Sequence, residues 1–145
     1  MSLRRALILG VPCVVGLAGC GIDFSILLPE VRTAVRVVND ADFAVDVELY
    51  FDDEDDIPEE ILTQLDSMEF IIAPGEVFAF SRPCDDLRAI IIDDADLLVL
   101  GGVGPETDTG VLREGDEFEC GDTIEFRFDH SEVILDFGID VTVSE

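Results

Sequence analysis

Apolar and polar residues alternate along most of this chain after residue 30, which is the period-two pattern of half-buried β-strands. In residues 31–38 and again in residues 43–51, one face of the run is almost entirely apolar. The apolar positions of the second run are Phe43, Val45, Val47, Leu49 and Phe51. Residues 39–42 between the runs are rich in turn formers, so the pattern predicts that the two strands pair as a hairpin.

Shorter elements follow this first pair. Residues 52–56 predict an acidic loop, and residues 58–65 predict a helix of about two turns, because a proline and two acids precede Ile61, Leu62 and Leu65. Residues 69–72 predict a strand. The segment 73–76 carries Pro and Gly at the central positions of a turn, which predicts a second hairpin with residues 77–81.

The second half of the chain predicts further short strands. Two apolar runs, 87–92 and 97–100, flank the acidic segment 93–96, which predicts a turn between paired strands, and the glycine-rich residues 101–110 predict a loop. The remaining strands are predicted at 117–120, at 123–129 with Ile124, Phe126 and Phe128 inward, and across 132–143.

Eight or nine short strands with regular turns and one small helix predict an all-β fold. The expected architecture is a two-sheet β-sandwich, Ig-like or similar, over a single domain at residues 31–145. A partly closed β-barrel is the alternative. No repeat and no low-complexity linker divides this segment.

The amino-terminal twenty residues have a different pattern. Arg4 and Arg5 precede an almost uncharged run at residues 6–18, which is too short to span a membrane and has the layout of a secretory signal. The run ends in Leu17-Ala18-Gly19-Cys20. A cleaved, unlipidated secretory peptide is the alternative, and the paired arginines leave twin-arginine export open beside the general route.

This ending resembles the lipobox of bacterial lipoproteins, with a Leu, two small residues and a Cys. The resemblance implies that residues 1–20 contain the signal peptide, that the bond before Cys20 is cut, and that the Cys20 thiol carries a covalent lipid anchor. Residues 21–30 are then a short tether or a first strand. The resemblance places the protein in the cell envelope, and Gly21 favours the outer membrane over the inner one in a host with two membranes.

The chain is strongly acidic. It holds 34 Asp and Glu against eight Arg and no Lys, a net charge of −26, and loss of Arg4 and Arg5 with the signal leaves −28. Such a surface excludes nucleic acid binding and is repelled by anionic lipids, so the acyl chains must provide the membrane affinity. This excess of acids fits either adaptation to a salty environment or the need to keep an exported protein soluble.

Cysteine usage predicts one disulfide. Lipidation uses Cys20, which leaves Cys84 and Cys120 as an even pair in an oxidising compartment. Two unpaired buried thiols are the alternative. The spacing of these cysteines lacks the paired Cys-x-x-Cys of a zinc site.

The acidic run 52–56 is the candidate cation site in the sequence. Its hard oxygens at Asp52, Glu54 and Asp56 could take Ca²⁺ weakly. The segment departs from the EF-hand pattern, with Ile57 in place of the required Gly and Thr63 in place of the final Glu. Consecutive acids in an extended loop also point to opposite sides, so a solvated acidic loop is the favoured interpretation.

No catalytic residue is predicted. His130, the one histidine, is followed by Ser131 at a predicted turn, and neighbouring side chains in extended chain point apart. The sequence therefore predicts a non-enzymatic, lipid-anchored envelope protein with no cofactor, whose sandwich is structural or binds an envelope protein or polysaccharide. The alternative is a Ca²⁺-responsive adhesion or matrix protein that uses the acidic surface.

Overall fold

A computed structural model describes residues 30–100, 102–130 and 136–145. The predicted signal peptide, the predicted lipidation site at Cys20 and all of the predicted 21–30 tether except Glu30 lie outside these residues. Among the described residues, no helix is long and apolar enough to cross a membrane.

Nine strands and one short helix make up the described fold. In chain order they are β1 (Arg32–Asn39), β2 (Ala44–Asp52), α1 (Glu59–Leu62), β3 (Met68–Ile72), β4 (Val77–Pro83), β5 (Ala89–Val99), β6 (Gly102–Thr107), β7 (Leu112–Arg113), β8 (Thr123–Asp129) and β9 (Gly138–Ser144). A single 3₁₀ turn, Cys84–Asp86, follows β4. The helix of two turns predicted at 58–65 is therefore only the four residues of α1.

The strands form two sheets, which confirms the predicted sandwich over the partly closed barrel. The first sheet has the order β4-β1-β8-β9, and the second has the order β3-β2-β5-β6 with β7 beside β5. Within the first sheet β1 runs parallel to β8, and the other neighbours are antiparallel. The apolar alternation of each strand places one row of side chains between the sheets.

The main core lies between the two sheets. Ile124, Phe126 and Phe128 of β8 are fully buried there, as their alternation predicts. They face apolar residues of β2 and β5, among them Leu49 and Ile92. A second, smaller cluster lies where α1 covers Tyr50 and Ile91 on the other side of the second sheet.

Both predicted amino-terminal hairpins are wrong. The strands β1 and β2 belong to different sheets, and so do β3 and β4, so each turn carries the chain across the sandwich. Asn39, which is fully buried, holds both crossings. Its Nδ2 donates to the carbonyls of Phe43 (2.8 Å) and Ile72 (2.9 Å), its Oδ1 accepts the Ala41 N–H, and its own carbonyl accepts the Gly75 N–H.

Three further predictions fail in the second half. Residues 93–96 do not turn, because β5 continues through them, and the predicted loop at 101–110 contains β6. Residues 117–120 form turns rather than a strand, apart from one bridge between Glu114 and Phe118. The predicted strand at 132–143 is present as β9, and its residues 132–135 lie outside the described part of the chain.

Candidate functional site

The outer surface of the second sheet carries a cluster of carboxylates drawn from four strands. The inward side chains of β2, β3 and β5 are mostly apolar, and alternation turns the acids between them to the outside, with one shift of register on β5. We call this surface the carboxylate face. It consists of Asp46 and Glu48 on β2, Glu69 on β3, Asp94 and Asp96 on β5, and Glu106 on β6.

Strand register places these acids directly opposite one another. On β2 and β5, Asp46 pairs with Asp96 and Glu48 pairs with Asp94. Glu48 also pairs with Glu69 on its other side, and Asp96 pairs with Glu106. Like charges directly opposite each other in an antiparallel pair destabilise a sheet, so the arrangement costs stability in the isolated chain.

Within the described residues, no arginine compensates the charge of this surface. All six arginines after residue 20 lie in the described residues, and none forms an ion pair with a member of the carboxylate face. Three of them, Arg32, Arg36 and Arg127, pair with acids at the first sheet instead. The two outer faces of the sandwich therefore differ strongly in charge.

Asp94 is the least satisfied member of the carboxylate face. The register between β2 and β5 shifts at Glu48, which leaves Asp93 as an extra residue and puts two consecutive acids between the buried Ile92 and Ala95. One carboxylate oxygen of Asp94, Oδ1, is buried and has no hydrogen-bond partner among the described residues. Burial, followed by the nearby charges of Asp96 and other acids, raises the pKa of Asp94.

Three carboxylates of this face converge. Oxygens of Asp94, Asp96 and Glu106 all lie within 4.8 Å of one another. That spacing allows one Ca²⁺ to contact all three, because protein oxygens bind this ion at about 2.3–2.6 Å. A shallow depression of about 190 Å³ adjoins them and is lined by Asp46, Val47, Glu48, Glu69, Asp94 and Asp96.

Glu48 also anchors the single tyrosine of the chain. The Tyr50 hydroxyl donates to Glu48 Oε1 at 2.6 Å. This hydrogen bond, together with burial and the charges of Glu48 and Asp93, raises the pKa of Tyr50 to about 12. The phenol is therefore held in its neutral, donating form and fixes the position of the Glu48 carboxylate.

The acidic loop predicted as a cation site is arranged differently. Asp52 Oδ1 accepts the Glu54 N–H at 3.0 Å, and Asp55 is paired with Arg88 at 2.7 Å. Arg113 donates to the Asp55 and Ile57 carbonyls. Asp52, Glu54 and Asp56 do not form a three-carboxylate cluster like that at Asp94, so Ca²⁺ binding by this loop stays a prediction.

The two predicted disulfide partners are joined. Cys84 and Cys120 are bonded with their Cα atoms 5.3 Å apart, which links the end of β4 to the segment before β8.

His130 Nε2 accepts the Asp42 N–H at 3.0 Å and thus tethers the turn after β1, while Ser131 lies outside the described residues.

Sequence reasoning missed the carboxylate face because it predicted a turn at residues 93–96. The signal that could have found it is the alternation Asp94-Ala95-Asp96-Leu97, which has the period of a half-buried strand, shifted by one residue from the run before it. The strand order, which brings Glu106 and Glu69 to the same surface, has no comparable signal in the sequence.

No protein-family model and no curated protein matches the chain. Solved structures that are similar to the chain include the following three, all at low identity. The type VI secretion lipoprotein TssJ1 from Pseudomonas aeruginosa is 14% identical over 81% of this chain and 98% of its own, with a TM-score of 0.44. A protein from Eubacterium rectale solved by NMR is 11% identical over 79% of this chain and 91% of its own, with a TM-score of 0.46.

The third structure is a disulfide-locked mutant of intermedilysin in complex with human CD59. It is 8% identical over 79% of this chain and 24% of that chain, with a TM-score of 0.46. At these identities and TM-scores the likeness carries no argument about function, which has to be argued from the residues themselves.

Proposed function

We propose that this chain is a lipid-anchored cell-envelope protein whose β-sandwich binds an envelope partner through the carboxylate face. The anchor is Cys20, supported by the lipobox-like segment Leu17-Ala18-Gly19-Cys20. The binding role rests on one observation, the six outward acids that lie opposite one another without an arginine. A surface that costs stability and is not neutralised within the chain is typical of a functional site.

The chemistry of the face defines the partner. A flat row of carboxylates on a rigid sheet attracts a cationic surface, which we take to be an arginine- and lysine-rich segment of an envelope protein or an amino-bearing polysaccharide. Charge complementarity of this kind mainly accelerates association and fixes orientation, and it weakens as salt is added. The anchor would hold the domain at the membrane, where such a partner is met at high local concentration.

A matched pair of triple variants tests the binding role. Asp94→Asn with Asp96→Asn and Glu106→Gln neutralises the centre of the carboxylate face, while Asp52→Asn with Glu54→Gln and Asp56→Asn removes the same charge from the acidic loop. We expect crosslinking of the full chain in its native envelope to lose a partner band only with the first triple. Loss of the same band with both triples, or with neither, contradicts the proposal.

The anchor is tested separately. Cys20→Ser should abolish acyl labelling and leave an unprocessed precursor, because the thiol is the site of attachment. Gly19→Ala keeps a small residue before the cysteine and serves as the control that should still be labelled and cut. Normal acyl labelling of the Cys20→Ser variant would refute lipidation at this residue.

A second candidate function is divalent cation binding at the same face. Asp94 favours it, because its Oδ1 has no partner and its carboxylate belongs to the cluster with Asp96 and Glu106, where an ion would relieve the repulsion. The cation would then regulate whether the face is available to a basic partner. Binding at this cluster competes with the sequence-based prediction at Asp52, Glu54 and Asp56.

Thermal unfolding at matched ionic strength separates these possibilities. If Ca²⁺ binds at the carboxylate face, CaCl₂ should raise the unfolding temperature more than MgCl₂ does, and the Asp94, Asp96 and Glu106 triple variant should lose that difference. Retention of the difference in this variant, with loss in the acidic-loop variant, would assign the ion to the loop. Equal effects of the two salts would reject specific Ca²⁺ binding.

A further inference from the structure

The open side of the sandwich between β3 and β4 exposes apolar side chains beside a strand without acids. Both strands are edges of their sheets, and β4 contains no acid in a chain that holds 34. Two apolar side chains there are exposed, Ile71 at 63% and Val77 at 49%. They border a groove of about 300 Å³ in which Phe70 and Phe78 stack at 4.2 Å.

Arg82 is the second unusual feature of this side. Its guanidinium lies over the Phe51 ring at 5.1 Å, but its Nε is buried without a hydrogen-bond partner. The other five arginines after residue 20 all donate to carboxylates or carbonyls. Arg82 forms no ion pair within the described residues, so its terminal nitrogens are free to take a carboxylate of another molecule.

The backbone of β4 shows which groups are free to pair. The Asn39 N–H donates to the Glu76 carbonyl, so in the antiparallel register with β1 the even-numbered residues 78, 80 and 82 face β1. The N–H and C=O groups of Val77, Ala79 and Ser81 therefore point to the open edge. Arg32 donates to the Ser81 carbonyl, which keeps a second lone pair for a further donor.

We propose that β4 pairs antiparallel with β4 of a second copy of this chain, about a two-fold axis at Ala79. In this register Arg82 of each copy lies opposite Glu76 of the other copy. The dimer therefore contains this ion pair twice. Phe78 lies opposite Phe80 of the other copy on the inner surface of the sheet. On the outer surface, the two Ala79 side chains lie opposite each other and Val77 lies opposite Ser81. The Oε2 of Glu76 accepts the Ala73 N–H at 3.2 Å, which leaves its other oxygen for Arg82.

This pairing accounts for the observations together. A self-complementary strand needs no acid on its outer surface, pairs its free backbone groups, and supplies the missing carboxylate to Arg82. The acids of the carboxylate face lie on the outer side of the second sheet, away from the axis. Two domains of charge −28 still repel each other, so added salt should favour the pair.

Disulfide trapping in membranes that contain the full chain tests the contact. In the proposed register the two Ala79 residues form a hydrogen-bonded pair with Cα atoms about 5.5 Å apart, a spacing that a disulfide spans. Ala79→Cys should thus form a crosslinked dimer on mild oxidation. Thr142→Cys is the matched control, because it lies on β9, the exposed edge at the other side of the same sheet. This variant should form little crosslinked dimer.

Charge exchange tests the register without relying on a single variant that could misfold. Glu76→Arg and Arg82→Glu, each combined with Ala79→Cys, should lower the dimer yield by about tenfold or more because like charges then face each other. The double exchange should restore it, and so should a mixture of the two single variants, whose unlike copies are complementary. Crosslinking to a different protein, equal yields from the two cysteine positions, or no rescue would overturn the proposal.

Discussion

Glu48 and Asp94 face each other across β2 and β5, both acidic and neither in an ion pair within the described residues. The same strand pair brings Asp46 opposite Asp96. Sheets normally place opposite charges or apolar pairs at such positions, so these two like-charged pairs lower the stability of the sheet at the centre of the proposed binding face.

Asp94→Asn should stabilise the folded protein at neutral pH by about 1 kcal/mol, because it removes a negative charge that lies opposite Glu48 and close to Asp96 and Glu106. The pKa of Asp94 is raised in the fold, so the native state binds more protons than the unfolded chain. The wild-type unfolding free energy should therefore fall as pH rises from the ordinary carboxyl range through the higher native pKa. Denaturant melts from pH 4 to 7 should show a smaller fall in the variant, and Asp53→Asn in the exposed loop is the control.

Tyr50 should ionise far above the usual range. It is the one tyrosine of a chain without tryptophan, so ultraviolet titration of the phenol observes it alone. We expect a midpoint near its pKa of about 12, and a lower one in Glu48→Gln, because the hydrogen bond from the phenol to the carboxylate is the largest cause of the shift. A wild-type midpoint near 10 in the folded protein would contradict the Tyr50–Glu48 contact.

Asn39→Ala should destabilise the domain by at least about 2 kcal/mol, because it leaves the buried carbonyl of Ile72 and the Ala41 N–H without their partners. The measurement is the free energy of unfolding in urea. Gln64→Ala removes an exposed amide of similar size and should change stability by less than about 0.5 kcal/mol. Equal effects of the two substitutions would show that Asn39 does not hold the crossings.

The Cys84–Cys120 bond closes a sequence separation of 36 residues. Replacing both cysteines by Ser should lower the unfolding free energy by about 4 kcal/mol, mainly because the unfolded chain regains freedom. Mass spectrometry of non-reduced peptides identifies the bond in the wild type. Two thiols that alkylate freely under native conditions would contradict it.

Added NaCl should raise the unfolding temperature, because screening shortens the repulsion among the acids to less than about 10 Å above 0.1 M. The triple variant of Asp94, Asp96 and Glu106 should respond less than the wild type, since it lacks three charges that lie within 4.8 Å of one another. An unchanged response in this variant would mean that the repulsion is spread over the whole surface. Unfolding temperatures between 0.05 and 1 M NaCl provide the comparison.

The sequence by itself determined the class of fold and the interior. Alternation alone identified the buried rows of β2 and β8, because a strand against a core must repeat its apolar positions every second residue. Cysteine parity predicted the Cys84–Cys120 bond in the same way. These features depend only on the alternation of neighbouring residues or on the number of cysteines.

Only the tertiary structure decided how the strands are paired and which acids meet. Turn residues at 39–42 and 73–76 are the same whether the chain returns to its own sheet or crosses to the other, and the buried side chain of Asn39 selects the crossing. The carboxylate face likewise needs the long strand β5 between β2 and β6, which joins residues distant in sequence. Pairing over such distances is set by the packing of the whole sandwich, and no local pattern encodes it.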